Sequence, residues 1–272
     1  MNVSTARWAF YRTYLGLPLL LALAVFFVFD LTALDRYISD GLYDPVSGFV
    51  LEHNRLFENI THRWARILPD WTGEFALIGA LLSFAWPRLK AHSNQWPVRV
   101  SGTLQWFFLH RRDFLFIVVA FALSTGLIHY LKSHTSVYCP VETTLYGGAE
   151  LHRAWFDNFR WFAEAGAGRC WPGGHASSAF SLFALYFVAR RHRWPRANTV
   201  LVIVMVLGWV YGTTRVLQGW HYVSHTLWSG IFVWLGTLLV ALLFYGRPAL
   251  QAPARPASTQ AEPLTGVISP LP

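Results

Sequence analysis

The chain has 272 residues, 54% of them hydrophobic and only 13% charged, about half the charged share of an ordinary soluble domain. That composition excludes a soluble globule with a polar shell and places most of the chain in a bilayer. The net charge of +8 suggests a nucleic-acid partner, but the cations follow the two sides of a membrane rather than one polyanion-binding face, so none is expected.

A membrane-spanning helix needs about 20 apolar residues. Apolar runs predict six spans: Leu15–Leu34, Glu74–Pro87, Phe114–Leu131, Ala176–Ala189, Thr199–Thr214 and Thr226–Tyr245. Arg7 and Arg12 precede the first as they would in a signal peptide. Phe29-Asp30-Leu31 is a poor cleavage site, so a retained anchor is expected. The segment Gly41–Thr72 is polar and aromatic, with a surface helix expected near Leu56–Leu68, and Arg88–Asp113 reads as a basic loop. Between the third and fourth spans, Leu151, Trp155, Phe159 and Phe162 recur at helical spacing opposite Arg153, Asp157, Arg160 and Glu164. That pattern predicts an amphipathic helix, either lying in the interface or packed on the bundle. Residues 247–272 turn Pro- and Ala-rich and are expected to be a disordered cytoplasmic tail. The expected fold is therefore all-α: a polytopic helix bundle over residues 1–246.

With both termini inside, the inner segments hold thirteen cations: Arg7, Arg12, Arg88, Lys90, Arg99, Arg111, Arg112, Arg190, Arg191, Arg193, Arg196, Arg247 and Arg255. Only Asp113 and Glu262 oppose them, and the outer segments hold the other nine cations with twelve acids. This is the positive-inside pattern. On this reading the protein sits in a bacterial inner membrane with cytoplasmic termini, and three polar segments meet at its periplasmic face: Lys132–Pro140, Pro172–His175 and Arg215–His221.

These segments carry one coherent chemistry. A phosphate ester at a membrane surface can be split by a nucleophilic His while cations hold the equatorial oxygens and an acid protonates the leaving alcohol. His175 follows Gly173 and Gly174 at the start of a span, where backbone N–H groups and a helix N-terminus favour an anion. His221 lies six residues after Arg215, and Lys132 ends the third span. Taken singly, Lys132 and Arg215 read as cations snorkelling at helix ends, and His175 as a turn residue. His129 and His134 read as structural. Together the four read as a lipid-phosphate site with the bilayer lipid as partner.

The three segments resemble the signature of the type-2 phosphatidic acid phosphatase superfamily, the six-span lipid phosphate phosphatases. That signature is Lys, six residues, Arg-Pro; then Pro-Ser-Gly-His; then Ser-Arg, five residues, His, three residues, Asp. Here the chain reads Lys132, six residues, Cys139-Pro140; Pro172-Gly173-Gly174-His175; Thr214-Arg215, five residues, His221, three residues, His225. The resemblance implies that His221 is the nucleophile and forms a phosphohistidine. It implies that His175 is the general acid and then the base for water, that Lys132 and Arg215 bind the phosphoryl oxygens, and that no cofactor or metal takes part.

Three positions depart from that pattern. Cys139 stands for the Arg, whose bidentate phosphate grip a Cys cannot reproduce; Arg169 is the expected substitute. Gly173 stands for the Ser. His225 stands for the Asp that would orient the nucleophilic His and stabilise its charge. A neutral His225 can still accept that hydrogen bond, and Glu142, Glu150, Asp157 and Glu164 are the carboxylates within reach in sequence. The chain's two cysteines, Cys139 and Cys170, both fall on the outer side beside motif residues, and a disulfide between them is expected. Other readings are a lipid phosphotransferase using the same intermediate, a non-catalytic lipid-phosphate binder, and a metalloenzyme with His175, His221 and His225 as ligands.

Overall fold

The computed structural model describes residues 3–64, 66–90 and 97–253. Of the tail expected to be disordered from residue 247, residues 247–251 instead form a short helical stretch beyond a kink at Gly246, with Leu250 buried. The rest of that expectation, beyond residue 253, lies outside the described residues. In chain order the main helices are α1 (Arg7–Asp30, which includes two π turns), α2 (Leu34–Asp40), α3 (Ile67–Leu89), α4 (Val98–Leu109), α5 (Arg111–Thr135), α6 (Gly174–Phe180), α7 (Phe183–Arg191), α8 (Ala197–Leu217) and α9 (Val223–Gln251). A single turn, Arg55–Glu58, runs into a π turn, Asn59–Trp64, ahead of α3. A two-residue hairpin pairs Tyr43-Asp44 with Gly48-Phe49.

Five of these segments are long and apolar enough to cross a membrane: α1, α3, α5 with the turn after it, α8 and α9. Polar backbone can cross lipid only when its hydrogen bonds close within the segment, which helices achieve. The predicted fourth span, Ala176–Ala189, is not among them. That stretch folds as two short helices, α6 and α7, which turn at Ser181-Leu182. The hydroxyls of Ser177, Ser178 and Ser181 donate to the carbonyls of Gly174, His175 and Ser178, a local bonding pattern that bends helices.

α9 is the hub and packs against α1, α5, α6, α7 and α8, while α3 packs mainly on α4 and α5. α1 leaves Leu19, Leu20, Leu23 and Phe27 exposed on its outer side, an apolar face suited to lipid. At the end of the bundle where α5 begins, Asp113 is buried against Arg191 and His192 from the end of α7 and accepts from Tyr245 Oη of α9 at 2.8 Å.

Two expectations about the connections fail. The stretch Arg88–Asp113 is not simply a loop: it contains α4, whose Phe107 is buried against Phe75 and Phe114. The amphipathic helix expected over 151–164 is absent; the one helical turn there is Trp155–Asp157. Its backbone is instead tied to the end of α5, with Arg160 N donating to His134 O and Ala165 N to Ser133 O. Trp155 stacks on buried Trp171 at 4.5 Å while Trp161 and Phe162 stay exposed, so the apolar residues serve separate contacts rather than one helix face.

Candidate active site

Four of the sequence-predicted side chains line one cavity of about 720 Å³: Lys132, His175, Arg215 and His221, with Gly174 beside them. Each arrives at the same end of the bundle for a local reason. Lys132 occupies the last turn of α5, which stops where Ser136 adopts a left-handed conformation. His175 is in the first turn of α6. Arg215 is in the last turn of α8. Beyond it, Gly219 takes φ 72° and closes the helix, with Gly219 N donating to Val216 O at 3.0 Å and Trp220 N to Arg215 O at 2.9 Å. This paired closure favours glycine at its left-handed position. A Cβ at Gly219 would also fall 2.2 Å from the Phe49 ring. The turn returns the chain so that His221 joins Arg215 on the cavity wall.

Lys132 is held by a neutral carbonyl, whereas Arg215 has a neutral amide partner and a carboxylate facing it. Lys132 Nζ donates to the Arg169 carbonyl at 2.5 Å. Arg215 Nη1 donates to Gln218 Oε1 at 2.9 Å, lies over the Trp220 ring, and faces Glu58 Oε1 at 3.7 Å. His175 stacks on Tyr211, and its Nε2 lies 2.6 Å from the Thr61 carbonyl. A carbonyl only accepts, so Nε2 carries a proton. Glu58 and Thr61 both belong to the 55–64 turn, which therefore covers the end of the cavity that holds Arg215 and His175. Sequence reasoning missed this cover, because a backbone carbonyl leaves no sequence signal.

The nucleophile candidate is buried, and its Nδ1 is 3.1 Å from Cys170 Sγ and 3.4 Å from His225 Nδ1. His225 sits in the first turn of α9, which the Asp35 carboxylate caps by accepting from Ser224 N at 3.1 Å. A further hydrogen bond joins His225 to the Cys170 backbone carbonyl. Burial, and then the nearby Lys132, His225, Arg215 and His175, hold the His221 imidazole well below its ordinary pKa, so it is neutral at neutral pH. Cys139 and Cys170 form a disulfide, which ties the end of α5 to the segment leading into α6.

The structure separates the remaining candidates. The Arg169 guanidinium is turned to Glu164 Oε2 at 3.0 Å and to the Gly168 carbonyl at 3.0 Å; the hydrogen bond from Lys132 is accepted by its backbone carbonyl. The Gly173 N–H is used by the His225 carbonyl at 3.0 Å. A Cβ at Gly173 would stand 3.3 Å from both His225 O and Ser229 Oγ, a tight fit. Glu142 accepts from Cys139 N at 2.7 Å and Glu164 pairs with Arg169. Among the described residues, His225 takes the place beside His221 Nδ1 that a carboxylate would hold. His129 lines the cavity, whereas His134 stacks on Tyr130 away from it. The cavity also reaches Asp70, Glu74, Ser124 and Thr125 on α3 and α5, residues that carry no motif.

Comparison with known proteins gives one result. A family model described as the PAP2 superfamily matches residues 113–250, a little over half of the chain, and the match contains every motif residue above. No curated protein and no solved structure matches the chain.

Proposed function

The chain belongs to the PAP2 superfamily, whose members are phosphatases, and from that premise we propose that it is an integral membrane lipid phosphatase. It removes a terminal phosphate from a lipid mono- or diphosphate at the outer face of a bacterial inner membrane, through a phosphohistidine. The observation that carries the reading is the convergence of Lys132, His175, Arg215 and His221 on one cavity.

The proposed reaction follows from the contacts. Lys132 and Arg215 hold the phosphoryl oxygens. His221 Nδ1–H is held by His225, whose proton-bearing nitrogen donates to the Cys170 carbonyl, so the His221 Nε2 lone pair faces phosphorus. Nε2 attacks, the P–O ester bond breaks, and the lipid oxygen takes the proton from His175 Nε2 in place of the Thr61 carbonyl. In the second step His175 removes a proton from water, the water oxygen attacks phosphorus, and the P–N bond returns its electrons to His221. Inorganic phosphate leaves. The six-span reading counts α6 with α7 as one crossing, and places the site outside through the charge asymmetry of the connecting segments.

The test is phosphate release by purified protein in detergent from a panel of lipid mono- and diphosphates, with excess chelator, beside His221→Ala. Release that survives the chelator and disappears with His221 is expected. Release abolished by the chelator would overturn the metal-free reading, and full turnover by His221→Ala would overturn the phosphohistidine.

A further inference from the structure

The Cys139–Cys170 disulfide sits against the nucleophile candidate. The two sulfurs and one ring nitrogen of His221 all lie within 4.8 Å of one another. Cys170 Sγ is 3.1 Å from His221 Nδ1, and that nitrogen is 3.4 Å from His225 Nδ1. Cys139, Cys170, His221 and His225 are 9%, 0%, 8% and 4% exposed. Two sulfurs and two imidazoles in a dry setting form a donor set that suits a borderline-soft dication. A tetrahedral zinc site, with bonds of about 2.3 Å to sulfur and about 2.0 Å to nitrogen, puts neighbouring donors roughly 3.3–3.8 Å apart. The nitrogen–nitrogen separation of 3.4 Å matches that spacing, and the sulfurs can reach it once the bond between them is gone.

We propose that reduction of this disulfide uncovers a zinc-type metal site made of Cys139, Cys170 and His221, with His225 as the fourth donor, and that the intact disulfide keeps such metals off the nucleophile. The reductant is a dithiol or a phosphine. With a phosphine, water supplies the oxygen of the phosphine oxide and the two protons, and each sulfur becomes a thiol. Metal binding then releases both thiol protons, giving two thiolates, while His221 coordinates through Nδ1 and carries its proton on Nε2. Two thiolates neutralise the dication, so the nearby Lys132 and Arg215 oppose it little. His221 Nε2, the atom proposed to attack phosphorus, is then protonated and unable to do so. The site itself stands on the donor positions; only its effect on turnover rests on the phosphatase reading.

The experiment uses cobalt(II) as a spectroscopic probe and zinc(II) as the inhibitor, on the full chain in detergent. As-purified protein should show no thiolate-to-cobalt charge-transfer absorption. After phosphine reduction the band should appear at one equivalent, and it should be lost in Cys139→Ser/Cys170→Ser and weakened in His221→Ala. Far-UV circular dichroism confirms that each variant retains its helices. Where phosphate release is measurable, zinc should abolish it in reduced protein, a chelator should restore it, and oxidised protein should be insensitive. Two thiols that react with a maleimide but give no cobalt band would overturn the site. So would an equal band in the double serine variant. A cobalt band without any phosphatase activity would leave the metal site standing and sink the reading of function instead.

Discussion

His221 has an environment that does two things at once. Burial and the charges of Lys132, His225, Arg215 and His175 depress its pKa, so the neutral, nucleophilic form persists as the pH falls through the ordinary imidazole value of about 6.5. The acid limb of the kcat/KM profile due to His221 should therefore lie below pH ~6.5. Lys132→Met removes the largest nearby charge, lets the His221 pKa rise, and should shift that limb to higher pH while weakening phosphate binding. A limb that stays in place would show that Lys132 does not act on His221. In the proposed mechanism the same environment has a cost, because attack on phosphorus would leave His221 positive and a neutral His225 would offset that charge poorly. His225→Asp supplies a negative partner at the same place, and turnover equal to or above that of the native chain is expected. Total loss in that variant would show that the hydrogen bond from His225 to the Cys170 carbonyl, which Asp cannot donate, positions the nucleophile.

The 55–64 turn behaves as a cover whose contacts imitate substrate. On the proposed mechanism, Glu58 stands at Arg215 where a phosphoryl oxygen would sit, and the Thr61 carbonyl stands at His175 Nε2 where the leaving oxygen would sit. Substrate must displace both. The Glu58 pair is 3.7 Å long with the Glu side chain 42% exposed, so it contributes about 1 kcal/mol or less. Glu58→Gln should lower KM by no more than about fivefold with kcat unchanged; a fall in kcat would instead assign Glu58 a part in the chemistry. This element also marks the limit of what the sequence discloses. Helices α5, α8 and α9 are legible because long apolar runs have few alternatives; Lys132, Arg215 and His221 are legible because their spacing fits the ends of those helices, and His175 because a Gly-Gly pair precedes it. The 151–164 segment misleads because its helical spacing is coincidental: Trp155 answers to Trp171, and the backbone near Arg160 answers to His134. α4 is hidden by its basic composition. Arg169 misleads because a charge near a motif says nothing of the partner, here Glu164, that captures it.

Across the whole molecule, α9 joins two polar centres on opposite sides of an apolar layer. His225 and Tyr245 are twenty residues apart on that helix, or about 30 Å at 1.5 Å per residue, which is the thickness of a hydrocarbon core. At the first end is the cavity; at the second, Asp113 gathers Arg191, His192 and Tyr245 from α7 and α9. Apolar side chains facing lipid gain little from packing with one another in a membrane, so a polar knot of this kind fixes how α5, α7 and α9 are registered. Removing its centre leaves Arg191, 24% exposed in its side chain, without a counter-charge. Asp113→Ala should therefore cost about 3 kcal/mol and lower the thermal midpoint in detergent clearly. Tyr245→Phe deletes one hydrogen bond to a charged group and should cost about 1.5–3 kcal/mol. Because the knot lies a membrane's thickness from His221, kcat of the folded fraction at low temperature should be unchanged in both variants. A loss of kcat with an unchanged midpoint would mean that the register set by Asp113 reaches the cavity through α9.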